Sequence, residues 1–299
     1  MLAKKKAEKA IRKVFPDSKI SSIKRFKKGL VNESYSVKII NPDKELVLRI
    51  YPKEGWKAEK EAYLYSLVKE KTNMPVPVVY GVDISRNAIN MPYSILSKIE
   101  GKEMPLNRKV IKEAGSCLAK IHSIKMPYFG WIINKKIKPK FKSWPDFVFY
   151  DLNYKIKRTK IAKDIADKIR KYVRDNKSLL DTETTPCLLH KDYHRPHIIV
   201  KNNKIKGIID FEWAIAGHNE LDIAKSLLWM FEKNRKLEKI FLDGYKKYGA
   251  ISDKFGKRRK LYKLITYLSA LNFAYELKNK RWYDHNLKKI KEALSKWQT

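Results

Sequence analysis

The chain has 299 residues, with 67 lysines and arginines against 32 acidic residues and a formal net charge of +35. Apolar residues make up 43%, enough for a sizeable core, and at roughly 100–200 residues per domain the length predicts one large or two modest domains. Only two cysteines, Cys117 and Cys187, are present, which excludes a disulfide-stapled scaffold and a cysteine-rich zinc module; a charged N-terminus without an apolar stretch, and no run of about 18 apolar residues, predict neither a signal peptide nor a membrane span, so the expected location is the cytoplasm.

Residues 3–15 read as a basic helix stopped by Pro16. Strand-like runs follow at 20–26, 34–40 and 46–51. The first two are joined by Lys28-Gly29-Leu30-Val31-Asn32 and the second pair by Asn41-Pro42-Asp43-Lys44, a strong turn signal. This turn predicts Arg49 opposite Ser36. A helix is expected at 56–71, then strands at 78–82 and 93–99. After Gly101 the period changes. Residues 107–124 carry an apolar stripe at Val110, Ala114, Cys117, Leu118 and Ile121. Further helices are expected at 146–154, 161–176, 220–232, 237–248, 256–278 and 284–297, with a compact β-rich island at 187–211. The reading is an α+β chain, a small β-rich lobe (1–100) before a larger helical lobe (101–299), with the boundary near 98–102 and a ligand cleft between the two.

The charge is uneven, 21 basic against 11 acidic residues in the first hundred and 46 against 21 in the rest. Such an excess attracts polyanions, RNA among them. A solvated lysine-rich surface is the alternative.

The island carries the chemistry. It reads His190-Lys191-Asp192-Tyr193-His194-Arg195-Pro196-His197, then an Ile/Val run, a turn at Asn202-Asn203, and a return to Ile209-Asp210-Phe211-Glu212. With Lys201 opposite Lys204, residue 197 falls opposite 208 and His197 beside Asp210. Asp192 lies on a loop able to fold back over them. Two carboxylates and an imidazole on one patch suit a divalent cation and a base near a hydroxyl. Three readings stand: a satisfied polar hairpin, a His-based metal hydrolase using the 190-x-192 and 194-x-x-197 spacings, and a phosphotransferase.

The surrounding chain favours the third. His190-x-Asp192-x-x-x-x-His197 followed by Ile209-Asp210-Phe211-Glu212 resembles the catalytic loop and metal-binding segment of the aminoglycoside phosphotransferase and choline kinase family. Gly217-His218-Asn219-Glu220-Leu221-Asp222-Ile223-Ala224, Val47-Leu48-Arg49-Ile50-Tyr51 and Leu118-Ala119-Lys120-Ile121-His122 resemble three further segments of that family, in order. The resemblance runs from about Gly29 to Ala224. It implies a bilobal protein-kinase-like fold and an ATP-dependent transfer of phosphate to a hydroxyl.

The resemblance also implies roles. Arg49 holds the ATP phosphates; apart from the resemblance, Glu61 shares the inward helix face of Leu64, Tyr65 and Val68, and an inward carboxylate wants a cation, for which Arg49 is the candidate, with Glu59 or solvent as the alternative. Gly29, Asn32 and Ser34 belong to the loop over the phosphates; Ser97 and Ile99 complete the nucleotide side. Asp192 orients the acceptor hydroxyl and takes its proton. Asp210 binds Mg²⁺, with Glu212 at a second ion or water. His190 packs under the Asp210 turn and Asp222 buttresses the loop. Two residues depart from the family pattern: His197 stands for the usual Asn, shifting preference from Mg²⁺ towards Mn²⁺ or Zn²⁺, and Lys191 stands for the usual Gly. The first departure leaves a nucleotide-binding pseudokinase as an alternative.

A small molecule with a hydroxyl group is the first-ranked acceptor; the basic helical lobe favours an anionic one over an aminoglycoside, with a local acidic pocket lined by Asp146, Asp151, Glu276 and Asp284 as the alternative. A ribose hydroxyl of RNA ranks second, supported by net charge and by Arg281-Trp282-Tyr283, cations beside stacking rings; a non-enzymatic RNA-binding module is the competing class.

Overall fold

The structure is a computed structural model that describes residues 2–27, 29, 31–181 and 185–295. Helix α1 (Lys4–Arg12) buries Ala7, Ala10 and Ile11 against the first sheet and ends one turn before Pro16. Strands β1 (Lys19–Arg25), β2 (Glu33–Ile40) and β3 (Lys44–Ile50) follow, then helix α2 (Trp56–Thr72), which stops at Asn73 in a left-handed conformation. Strands β4 (Val79–Asp83) and β5 (Tyr93–Ser97) close a five-stranded antiparallel sheet, ordered β1-β2-β3-β5-β4. Buried and exposed residues alternate along β2 and β3, placing Tyr35, Val37, Ile39, Leu46, Leu48 and Ile50 in the core.

The β2–β3 register differs from expectation. Ile39 pairs with Lys44, where the Asn41–Lys44 reading places Asn41, so the register is slipped by two residues and Arg49 lies opposite Ser34 instead of Ser36. Asn41 takes a positive φ of 57° there, the tight-turn geometry Asn tolerates. A two-residue slip keeps every side chain on its face, so Arg49 still points as the pattern requires.

The rest is mainly helical. After a two-residue strand β6 (Lys102–Glu103), α3 (Arg108–His122) is capped by the Asn107 side chain, which accepts from the N–H groups of Lys109 and Val110. A short β7 (Gly130–Ile133) and β8 (Lys136–Ile137) precede α4 (Trp144–Thr159), α5 (Lys163–Asp175) and α6 (Lys177–Leu180). The island holds β9 (Cys187–Leu189), a single 3-10 turn at Arg195–His197, β10 (Ile198–Lys201) and β11 (Lys204–Ile208), followed by β12 (Ile215–Gly217). Helices α7 (Asn219–Phe231), α8 (Arg235–Tyr245), α9 (Phe255–Glu276) and α10 (Lys280–Ser295) complete the chain. The expected helix at 284–297 starts earlier; residues 296 and 297 lie outside the described residues. Among the described residues no helix is long and apolar enough to cross a membrane.

The island hairpin carries a bulge. Lys201 pairs with Lys204 as expected, but the register shifts between Ile199 and Val200, and Ile198, not His197, pairs with Ile208. The extra residue turns His197 out of the ladder to the strand mouth. Its carbonyl still accepts from the Ile209 N–H at 3.0 Å. Strand β6 adds to the other edge of β10, Ile199 opposite Glu103.

Two apolar cores result. One holds α1 and the inner face of the first sheet. The larger joins α3–α10 and β9–β12 to Leu64, Tyr65 and Val68 of α2 and Leu96 of β5.

Candidate active site

A cleft of about 1730 Å³ separates the first sheet from the helices. The catalytic-loop sequence lies at its floor. Asp222, fully buried near the start of α7, fixes this loop. Its carboxylate accepts from the backbone N–H of His190 at 2.7 Å and of Lys191 at 2.8 Å, and lies 3.3 Å from His122 Nε2. Lys191 sits at φ 65°, which explains why glycine suits this position. His190 is buried; its Nε2 faces the Ile209 carbonyl at 3.0 Å and its Nδ1 accepts from the Asp192 N–H at 3.2 Å. A carbonyl only accepts, so Nε2 carries the proton and the ring is neutral; burial, with His197 next, lowers its pKa to about 4.

His197 sits between the two carboxylates the sequence singles out. Its Nδ1 is 3.4 Å from Asp192 Oδ2 and its Nε2 is 3.5 Å from Asp210 Oδ2. Nδ1 also lies 2.8 Å from the Asp192 carbonyl, so it donates there, and Nε2 is the ring nitrogen turned towards Asp210. Asp192 Oδ1 accepts from Lys225 Nζ at 3.1 Å, and His194 Nε2 is 3.5 Å from Oδ2. Burial alone would raise the Asp192 carboxyl. Lys225, His194 and His197 outweigh it and hold the pKa well below the usual range, so Asp192 is ionised.

On the other wall, Arg49 bridges two elements. Its Nε is 3.0 Å from Glu61 Oε2 on α2, and its NH2 donates to Asp210 Oδ1 at 2.9 Å. The Arg49–Glu61 pairing expected from the helix face is therefore present, with Glu61 only 1% exposed. Tyr51 and Tyr65 also donate to Glu61, at 2.8 and 3.2 Å. Burial raises the Asp210 carboxyl but Arg49 and His197 outweigh it, so its pKa is lowered. Asp210 takes a positive φ of 70°, and its backbone N–H donates to Tyr65 Oη at 3.0 Å.

Glu212 belongs to the same wall. Its Oε2 accepts from Asn32 Nδ2 at 2.7 Å and lies 3.7 Å from Lys57 Nζ and 3.9 Å from Arg49 NH2. Burial, then Asp210, pushes its pKa up to about 7. Asn32 thereby ties the β1–β2 loop down onto the Asp210–Glu212 segment. Of that loop, Lys28 and Leu30 lie outside the described residues. Gly29 has φ 153°, and a Cβ there would sit 3.0 Å from the Asn32 carbonyl, so the turn requires glycine. Ser34 lines the cleft opposite Arg49. Ser97 accepts from the Val78 N–H at 2.8 Å and lines the cleft with Ile99.

The donors suit a divalent cation. Asp210 offers carboxylate oxygen, and His197, with Nδ1–H committed to a carbonyl, offers Nε2, the arrangement that orients imidazoles towards metals. Asp192, His194 and His197 form a second group whose ligand atoms lie within 4.8 Å of one another. His190, named in the hydrolase reading, is not part of it.

Sequence reasoning missed several lining residues. Lys225 stands three residues after Asp222 on α7, and Lys155 four after Asp151 on α4, spacings that share a helix face. Lys60 Nζ donates to the Glu212 carbonyl at 2.8 Å, and burial, with Lys57 next, lowers its pKa to about 7. An apolar slot of Val47, Pro77, Leu96 and Ile209 flanks Ile99. Of Arg281-Trp282-Tyr283, Trp282 packs edge-on against Phe273 at 5.6 Å and Tyr283 against Tyr275 at 6.3 Å.

A β-rich sheet region facing a mainly helical part across a cleft is the arrangement of the kinase-like fold. Residues 22–259 match the phosphotransferase enzyme family, and the chain belongs to it; this membership makes it an ATP-dependent phosphotransferase. No curated protein matches. Solved structures share the fold. An aminoglycoside phosphotransferase APH(4)-Ia, in ternary complex with AMP-PNP and hygromycin B, is 17% identical, with a TM-score of 0.75 and 97% of each chain covered. A protein assigned as a fructosamine-3-kinase from Haemophilus somnus 129PT is 20% identical, with a TM-score of 0.73 over 95% of this chain and 96% of that one. Another so assigned, from Thermobifida fusca YX-ER1, is 17% identical at a TM-score of 0.71, covering 95% and 99%.

Proposed function

We propose that the chain moves the γ-phosphoryl group of ATP to a hydroxyl of a small molecule, with Asp192 as the acceptor-side residue. The observation that carries this is the pair of carboxylates, Asp192 and Asp210, either side of the His197 ring at 3.4 and 3.5 Å, with Arg49 on the facing wall. Small acceptors are favoured by the likeness to APH(4)-Ia, whose ternary complex holds hygromycin B.

In this reading Val47, Leu96, Ile99 and Ile209 take the base, and Ser97 lies at the slot's edge. Gly29, Asn32 and Ser34 border the phosphates and Arg49, fixed by Glu61, neutralises them. Asp210 and His197 would hold Mg²⁺ or Mn²⁺, with Glu212 nearby; the ion's chemistry is charge neutralisation on the phosphates. Ionised Asp192 orients the hydroxyl. The hydroxyl oxygen bonds to the γ-phosphorus, the bond from that phosphorus to the bridging oxygen breaks, the hydroxyl proton passes to Asp192 and ADP leaves. Lys225 holds the carboxylate in place.

The test is ADP release with a pool of hydroxylated acceptors. Asp192→Ala should lower turnover by about 10²–10⁴-fold with little change in ATP affinity. Asp210→Asn should remove the metal-dependent thermal stabilisation that ATP gives. Near-normal transfer by Asp192→Ala would end the assignment.

A further inference from the structure

The half of the cleft beyond Asp192 is walled by helices. Helix α4 presents Asp151, Tyr154, Lys155 and Arg158, residues one and two turns apart on one face. Helix α7 presents Lys225, and α9 presents Thr266, Asn272, Phe273 and Glu276.

The charges here do not balance. Asp151 is paired with Lys155, Asp192 with Lys225 at 3.1 Å, and Glu276 with Arg158 at 2.9 Å. Each carboxylate of this half already has its cation. Lys191 is left over. It lines the cleft, is only 9% exposed, and its ammonium has no hydrogen-bond or ion-pair partner among the described residues. Lys155 and Lys225 are the cations acting on it most strongly. Burial, then Lys155 and Lys225, lower its pKa to about 7 against the opposing pull of Asp151 and Asp222; burying such an amine without a direct partner is costly, and this one occupies a positive-φ position that glycine fills at less strain. Two neutral atoms of residues lining the same cleft are also unmatched. Thr266 Oγ1 and Asn272 Oδ1 are buried without hydrogen-bond partners, and both residues line the same cleft. The Asn272 amide group is already used, donating to Glu276 at 2.8 Å. Trp131, Tyr154, Phe273 and Trp282 supply apolar ring surfaces around them.

We infer that the acceptor is an anionic sugar, whose phosphate or carboxylate is held by Lys191 with Lys155 and Lys225, and whose hydroxyls bond to Thr266 and Asn272. This rests on the phosphotransferase reading for the reaction, but the binding step stands on its own. Ring faces pack against the C–H faces of a pyranose. A cationic acceptor would bring a positive charge to a half of the cleft whose carboxylates are already paired. The transferred phosphoryl goes to a hydroxyl presented to Asp192, while the anionic group stays unchanged at Lys191.

The experiment uses the full chain and three probes: glucose 6-phosphate, glucuronate and glucose. Binding is read by calorimetry and by thermal stabilisation without nucleotide, transfer by ADP release with metal and ATP. One or both anionic probes should bind at least about tenfold tighter than glucose, a difference of about 1.4 kcal/mol, and the phosphate and carboxylate arms separate the two sources of the anion. Lys191→Gly, which relieves the backbone and should fold, is expected to abolish the preference for the anionic probe; Lys191→Arg should retain it. Thr266→Val should weaken both sugar classes alike. Equal binding of glucose and the anionic sugars, or a preference that survives Lys191→Gly, overturns the inference. Anion-selective binding with no transfer to any probe, alongside ATP binding that ignores Asp210→Asn, would instead overturn the roles proposed for Asp192 and Asp210 and leave the anion site standing.

Discussion

Asp222 makes no contact with the cleft, yet it sets the geometry of the residue that does. Its two oxygens serve the N–H groups of His190 and Lys191 and the His122 ring. Asp222→Asn keeps one carbonyl oxygen and turns an NH₂ towards a backbone N–H that needs an acceptor. One buried donor is then unsatisfied, about 1–3 kcal/mol, and the surviving bonds lose their charge assistance, about 1 kcal/mol more. The expected cost is about 2–4 kcal/mol, a large share of the ~5–15 kcal/mol that holds a typical domain. The same change releases the backbone immediately before Asp192. A shift of about 1 Å there costs on the order of 100-fold in rate, whereas Arg49 and Glu61 on the opposite wall are untouched. Urea unfolding should show a lower midpoint, and steady-state kinetics should show kcat falling with the KM for ATP nearly constant. An unchanged midpoint together with wild-type kcat would refute the idea that this carboxylate positions the loop.

If His197 supplies Nε2 to the cation, His197→Asn should shift metal preference from Mn²⁺ towards Mg²⁺, read as the ratio of rates in the two metals; an unaltered ratio would remove His197 from the metal site. Lys60 provides a pH test. Its pKa is lowered from 10.5 to about 7 by burial, so between those values the unfolded chain binds more protons than the folded one. Stability should therefore rise with pH above about 7, and the contribution should be lost as pH falls through about 7. Lys60→Met should flatten the Tm–pH profile in that window, and an equal slope in both proteins would show that Lys60 is not the titrating group.

Much of this arrangement is legible in the chain because local signals agree. The hairpin around Asn202-Asn203 combines β-branched runs with a turn that closes as written, and the motif order fixes which residues meet. The β-bulge at Ile199 is not legible, because nothing in Ile198-Ile199-Val200 distinguishes a paired residue from an extra one; packing against β6 and the loop decides it. Arg49 was misplaced by two residues along β2, but the period of two protected its direction. Lys155, Lys225, Thr266 and Asn272 come from three helices distant in sequence. Their convergence depends on how α4, α7 and α9 pack, which no single-helix pattern contains. Short strands such as Ile215–Gly217 are illegible for a different reason: three residues carry no period.

The larger apolar core reaches across the nominal lobe boundary through α2. Leu64, Tyr65 and Val68 pack with the helical part of the molecule while Glu61, one turn earlier, grips Arg49 of the sheet. Helix α2 is thus a shared wall between two rooms. A fragment ending at residue 100 would carry that wall with one side bare, and a fragment beginning there would lose part of its lining. The two halves are not interchangeable modules that recombination could shuffle freely. A viable chimera would have to bring α2 along with the body it packs against, and supply a new sheet whose arginine finds Glu61 in place.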